Sequence, residues 1–188
     1  KNINWDIISE LDLKKISDTK NSQGIVAVAN IKKYYLNTLE QLNKNNVVIL
    51  DVIQDPGNLG TILRTCAWFG IKSIILTSKS IDPFNLKCLR SGVGAHFYLD
   101  NIILENRNKV ISFLKNEHYT ILTADLKGES VETIDPINQW ALVLGNEAHG
   151  ISDTFDHFRK ITISKKGNLE SLNVSIACGI ILNHLTKD

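Results

Sequence analysis

The chain lacks methionine altogether and has only three prolines and three cysteines in 188 residues. Cys66, Cys88 and Cys178 are odd in number, far apart and form no CxxC pair, which argues against both a disulfide framework and a zinc site. They fit a reducing compartment and places in a core. Long apolar runs are missing too. The richest, Val47 to Ile53, is broken by Asp51 and falls far short of the roughly 20 residues that span a bilayer. No membrane partner is expected. Neither charge sign dominates: the formal net charge is +1, whereas dedicated nucleic-acid-binding domains usually carry an obvious basic surplus. A local basic patch, or a basic partner domain, remains compatible with that balance.

Without an initiator Met at Lys1, the chain reads as a fragment. The polar stretch 1–22 contains isolated apolar residues such as Trp5 and Leu11 and lacks the apolar core of a secretory signal. It is expected to be a linker or the remnant of an upstream domain, with residues 23–188 forming one domain. A cytoplasmic location is expected, an organelle staying open because the N-terminus is missing. The sequon Asn173-Val174-Ser175 is read as a chance match.

What the chain does have is alternation. Short branched apolar runs alternate with stretches of helical period, the pattern of βα repetition around a largely parallel sheet. Strands are predicted at Ile25–Ala29, Val47–Ile53, Ser73–Thr77, Thr120–Ala124, Ala141–Leu144 and Lys160–Ser164. Helices are predicted from Thr61 to Phe69, with Gly70 as the C′ stop, and near Asn85–Ser91, Leu104–Asn116 and Val174–Leu185. The fold class is α/β.

In such folds functional groups gather beyond the carboxyl ends of strands. Three segments there stand out. The turn Asp55-Pro56-Gly57-Asn58-Leu59-Gly60 leads to Arg64 and, alone, is a tight βα connection. Gly145-Asn146-Glu147-Ala148-His149-Gly150 packs polar groups between glycines, and alone is a solvated turn with an ordinary surface histidine. Lys165-Lys166-Gly167 runs on to Ser171-Leu172-Asn173-Val174-Ser175, where one polar residue is explained as a helix cap and three are not. All three follow strands, so one sheet edge can unite them. The chain has no P-loop, zincin or nucleophile-elbow motif, and Gly92-Val93-Gly94 fails as a dinucleotide fingerprint because Phe97 stands at the third glycine.

These segments resemble the SpoU (TrmH-like) branch of the SPOUT RNA methyltransferases. DPGNLGTILRTCAWFGI at 55–71, LVLGNEAHGIS at 142–152 and SLNVSIA at 171–177 resemble its three motifs in order, and RSGVGA at 90–95 a further element; the likeness covers roughly 22–186. The resemblance implies a parallel-sheet domain with a C-terminal trefoil knot, S-adenosyl-L-methionine as cofactor, no metal, and a homodimer with shared active sites. It implies methyl transfer to a ribose 2′-hydroxyl of structured RNA, rRNA rather than tRNA, and a missing N-terminal substrate-binding domain. Asn58, Arg64, Glu147, Ser171 and Asn173 match the catalytic set. Thr123, Leu144, Gly145, Ile163 and Leu172 match the cofactor wall, and Arg64, Arg90, Lys165 and Lys166 are the expected RNA contacts. One departure stands out: where the family carries Ile-Pro-Met, this chain has Ile163-Ser164-Lys165. The alternative is a SPOUT-like module that binds RNA or dimerises without catalysis.

Overall fold

The computed structural model describes residues 4–17, 19, 21–28, 38–42, 45–147 and 149–187. They divide into two units, 1–32 and 33–188. In the first, a short helix α1 (Glu10–Ile16) is capped by Ser9, whose hydroxyl accepts from the Asp12 N–H at 3.2 Å, and buries none of its residues. The strand expected at Ile25–Ala29 is not formed: 25–28 lie outside any strand, and Ile25 and Val28 are 84% and 97% exposed. Ala29 lies outside the described residues. A branched apolar run is a strand only where a ladder partner meets it, and none pairs with 25–28.

The second unit holds a six-stranded parallel sheet, β1 (Val47–Leu50), β2 (Ser73–Thr77), β3 (Asn101–Glu105), β4 (Thr120–Ser130), β5 (Trp140–Leu144) and β6 (Arg159–Thr162), in the order β3-β2-β1-β5-β4-β6. β1, β2 and β5 are buried throughout, as strands covered on both faces must be. Side chains alternate between two apolar layers. Val48 and Leu50 join the helices α2 (Pro56–Trp68), α3 (Leu86–Gly92) and α5 (Val174–Leu185), while Val47 and Ile49 join α4 (Arg107–Asn116) on the other face. Cys66, Cys88 and Cys178 are free and buried in the first layer, and burial pushes the Cys88 thiol up to about 12.

Three expectations are corrected. β3 was expected as the start of a helix from Leu104; the chain instead forms an edge strand and restarts at Asn106, whose side chain caps α4. Only Ile102 and Ile103 of this strand are buried while Leu104 is 50% exposed, so the apolar run is too short to stand out as a strand. β4 runs six residues further than predicted, because Ala124 and Glu129 both pair with Ile161 while 125–128 bulge outward. The third concerns 55–60, expected as an irregular turn. It is the first turn of α2, with Asp55 as N-cap and Pro56 at the first helical position.

The glycines that disguised that helix have a packing cause. A Cβ on Gly60 would stand 2.4 Å from the Cys88 carbonyl oxygen and 2.7 Å from the Gly92 nitrogen, so α2 and α3 cross where neither helix carries bulk. Gly70, with φ +74°, stops α2 as expected. Substituting Gly60→Ala should therefore cost about 3 kcal/mol of stability, whereas Gly167→Ala, whose Cβ would meet nothing within 4 Å, should be near neutral. Denaturant unfolding of both variants checks the contrast.

Candidate active site

The bulge of β4 and the carboxyl ends of β5 and β6 open onto one cavity of about 550 Å³. Its walls come from Ala124, Asp125 and Leu126 where β4 bulges, from Gly145, Asn146, Glu147, Gly150 and Ile151 after β5, and from the segment that runs from Ile161 near the end of β6 to Val174. The β1–β5 neighbourhood is where strand order reverses, the usual position of a ligand crevice.

The β5 loop is shaped by its glycines. Asn146 and Gly150 exchange backbone hydrogen bonds of 3.0 and 2.8 Å, closing a small antiparallel bridge. That closure leaves no room at Gly145, where a Cβ would lie 2.4 Å from the Gly150 carbonyl. The Asn146 amide donates to the Val52 carbonyl at 3.0 Å and so ties the loop to the end of β1. His149 is exposed, and its N–H donates to Asn146 Oδ1 at 3.3 Å.

Three side chains from the three expected segments meet. Asn58 Nδ2 donates to Glu147 Oε1, and Asn173 Nδ2 donates to Asn58 Oδ1 at 2.9 Å. The Asn173 oxygen in turn caps α5, accepting from the Ser175 N–H at 3.0 Å and the Ser175 hydroxyl at 2.6 Å. Cap and site are therefore the same residue: one end of its amide starts the helix and the other holds Asn58. Asn58 itself is fixed at the start of α2, where its N–H donates to Asp55 Oδ1 at 2.7 Å.

Of the expected cofactor wall, Leu144, Gly145, Ile163 and Leu172 line the cavity. Thr123 does not; it is buried and donates to the Arg159 carbonyl at 3.4 Å, and the next residues, Ala124 and Asp125, face the cavity instead. Glu147, Ser171, Lys165 and Lys166 also line it. Arg64 and Arg90 stand exposed on α2 and α3, outside its walls. Sequence reading missed Asp125 and Glu170, two acids on the cavity wall, and the buried Asp51 at the end of β1, which accepts from the Ser152 N–H beyond the β5 loop. Asp51 had a signal, an acid inside the apolar β1 run. Asp125 had none, since an acid after a strand is common. Among the described residues no cluster of three or more His, Cys, Asp or Glu could hold a metal ion, and no helix is long and apolar enough to cross a membrane.

Electrostatically, the Asn58 N–H bond holds the Asp55 carboxyl below its ordinary value of 3.8, with Lys87 adding to the effect. Asp125 is paired with Lys160 at 3.4 Å, and Lys160 is raised above its usual range by Asp156 first and Asp125 second.

A model of the SpoU rRNA methylase family matches residues 45–183. The chain is 34% identical to a tRNA/rRNA methyltransferase of uncharacterised activity from Borreliella burgdorferi, over 96% of this chain and 86% of that one. It is 31% identical to a Bacillus subtilis protein named as a 23S rRNA guanosine 2′-O-methyltransferase, over 95% and 71%. Among solved structures, the S-adenosylmethionine-bound rRNA methyltransferase from Sinorhizobium meliloti superposes with a TM-score of 0.71 at 32% identity, over 75% of this chain and 55% of that one. The chain thus spans little more than half the length of that solved protein.

Replacing Asp55 with Ala removes the α2 cap and should cost about 1 kcal/mol at neutral pH. Because the folded-state pKa is depressed, that contribution is present above 3.8 and fades as pH falls through the lower folded value. Thermal melting of wild type and variant at neutral and strongly acidic pH should show the gap closing in acid.

Proposed function

The chain belongs to the SpoU rRNA methylase family, and we propose that it transfers a methyl group from S-adenosylmethionine to a ribose 2′-hydroxyl of structured RNA, in rRNA rather than tRNA. The observation that carries this reading is the hydrogen-bonded chain Glu147–Asn58–Asn173, whose Glu147 lines the cavity while Asn58 and Asn173 stand outside its walls. The rRNA preference leans on the named activity of the Bacillus subtilis relative. Residues 1–22 are read as a linker to a substrate-binding domain.

The cavity fits the cofactor. Its volume lies within the range of small-molecule sites. Leu144, Ile163 and Leu172 offer apolar walls for a flat heterocycle, and the narrow backbone at Gly145 offers N–H and C=O groups to its edge. Lys165 and Lys166 suit a carboxylate, while Asp125, Glu147 and Glu170 suit ammonium and sulfonium charge. When bound, S-adenosylmethionine supplies a methyl group on a sulfonium that is already a good leaving group.

The protein's own work is to orient the attacking hydroxyl and manage its proton. Ser171 and Asn173 position the ribose, with Glu147 held in place by Asn58. A guanidinium is a poor base but a good two-pronged phosphate ligand. Arg64 accordingly grips the phosphate beside the target ribose. Because Arg64 projects from α2 outside the cavity walls, it completes the site of a second copy in a homodimer. The outward side of α5, where Ile176 is 55% exposed, is the contact surface of that dimer. The C-terminal segment forms a trefoil knot. In support, β6 lies at the sheet edge beyond β4, yet α5 packs back against α2, so 163–173 must recross the strand ends.

Calorimetric titration should show binding of S-adenosylmethionine to the folded chain; no binding at millimolar cofactor would sink the enzyme reading. Arg64→Lys keeps the charge but loses the fork, and turnover should fall about tenfold, the cost of one charge-assisted hydrogen bond. Near-normal turnover would refute the clamp. Methyl incorporation into total rRNA and tRNA, followed by mapping of the modified nucleotide, decides the substrate.

A further inference from the structure

The net charge of +1 conceals an uneven distribution. Between Asp55 and Asp100 the chain carries Arg64, Lys72, Lys79, Lys87 and Arg90 against three acids, Asp55, Asp82 and Asp100. This segment supplies α2 and α3, which cross at Gly60 and Gly92 on one face of the sheet. Arg64, Lys87 and Arg90 lie on α2 and α3 themselves, so this side carries a local basic surplus, offset in part by Asp55 at the α2 cap.

The same side displays its aromatic rings. Among the described residues of the second unit, the exposed Trp, Phe and Tyr are Trp68, Phe97 and Tyr98, at 85%, 91% and 65%. Singly exposed apolar residues need no explanation, but a group does. Trp68 ends α2, and Phe97 and Tyr98 follow α3 in the turn that packs against α2. On α3 itself, Leu86, Arg90 and Val93 recur at steps of four and three, and so share the outward face, while Cys88 and Gly92 point inward.

The rings stand on a firm base. Val93 and Gly94 take left-handed conformations that reverse the chain, with φ of 46° and 80°. Ala95 and His96 then anchor it: both are buried, His96 Nε2 lies 2.7 Å from the Pro83 carbonyl, and its ring packs on Phe84 at 5.5 Å. Lys72 Nζ donates to the Tyr98 carbonyl at 3.1 Å. A fixed backbone presenting solvent-facing rings among cations is a stacking platform with phosphate ligands beside it, the combination that binds unpaired nucleic acid.

We propose that the α2–α3 face carries the RNA that flanks the methylated nucleotide, Phe97 and Tyr98 stacking on unpaired bases while Lys87 and Arg90 meet phosphates. The inference rests on the RNA reading above and extends it to a named surface. The face is continuous with the site, because Lys87 Nζ lies 3.4 Å from Asp55, the cap that fixes Asn58. A strand whose ribose enters the site would meet Lys87 at the start of α3 and run along that helix past Arg90 to reach the rings beyond its far end. The occupant is RNA rather than a protein segment, because the face pairs rings with a surplus of one charge sign, and RNA offers both bases and phosphates.

The double variant Phe97→Ala/Tyr98→Ala tests it. Both side chains face solvent, so the melting temperature should not change. Fluorescence anisotropy with a labelled single-stranded uridylate oligonucleotide should show binding weakened about tenfold or more, with a duplex RNA affected much less and S-adenosylmethionine affinity unchanged. Neutralising Arg90 with Gln should reduce the salt slope of single-strand binding by about 0.7. Unchanged single-strand affinity would overturn the platform, even if the chain binds S-adenosylmethionine and methylates RNA. So would a change in sedimentation with RNA affinity intact, which would make this face a contact between copies. Lost RNA binding in the variant, together with no cofactor binding by wild type, would leave the platform standing and count only against methyl transfer.

Discussion

Asp51 stands at the end of β1 with 1% of its surface exposed, and its two oxygens serve three elements. Oδ1 accepts from the Thr77 hydroxyl at 2.7 Å and from Arg107 Nε at 2.6 Å; Oδ2 accepts from the Ser152 N–H at 2.9 Å. One carboxylate thus joins the ends of β1 and β2, the start of α4 and the far side of the β5 loop. A buried charge is tolerable only when its lone pairs are filled, and removing one partner of such a pair typically costs about 3–5 kcal/mol. Thr77 also accepts from the Val52 N–H at 3.1 Å. Val52 needs that hold, because φ of 59° is costly for a β-branched residue, on the order of 1–3 kcal/mol. The strained turn is what swings the chain from β1 toward Asp55, and the Asp51 network keeps it swung.

From that anchor the site assembles by shared hydrogen bonds rather than by proximity alone. Asn146 closes the loop between Val52 and Gly150, Glu147 is carried on that loop, and Asn58 in the first turn of α2 and Asn173 at the cap of α5 bring two helix starts to it. Each polar group therefore has both a structural and a chemical partner. This explains why the segment needs small residues so strictly. Gly145 and Gly60 lie where two backbones approach within a Cβ of each other, one under the loop and one between α2 and α3.

Much of this was legible in the sequence, for identifiable reasons. The central strands are buried on both faces, so their unbroken apolar runs were unmistakable, and α5 has a clear apolar face ended by an Asn cap. The grouping of 55–64, 145–150 and 171–175 followed from all three lying after strands. What escaped was whatever depends on tertiary contact. β3 is an edge strand whose buried pair, Ile102 and Ile103, is too short a run to be told from the start of the helix that follows, and α2 hid its first turn behind glycines whose use appears only when α3 is in place. Ile25–Ala29 failed in the opposite direction: good strand residues without a partner strand. Thr123 was expected at a strand end, but β4 runs on to Ser130 and bulges just past it, so Ala124 and Asp125 face the cavity in its place.

The departure at Ser164 is the place where structure changes the weight of a sequence argument. The family's proline would stiffen the loop after β6 by restricting the unfolded chain, an effect of about 0.4–1 kcal/mol. Here Ser164 Oγ lies 2.8 Å from Ser130 Oγ, at the end of the bulged β4. An intramolecular hydrogen bond contributes about 0.5–1.5 kcal/mol, with the lower end fitting an exposed hydroxyl pair. The two devices are of similar size, so losing the proline does not by itself loosen the cavity wall. They differ in what they fix. A proline stiffens its own position, whereas the serine pair ties the β6 loop to β4, whose bulge supplies Asp125 and Leu126 to the opposite wall. In this chain the two sides of the cavity are therefore coupled, and a change at Ser130 is transmitted to the loop that carries Lys165 and Ser171.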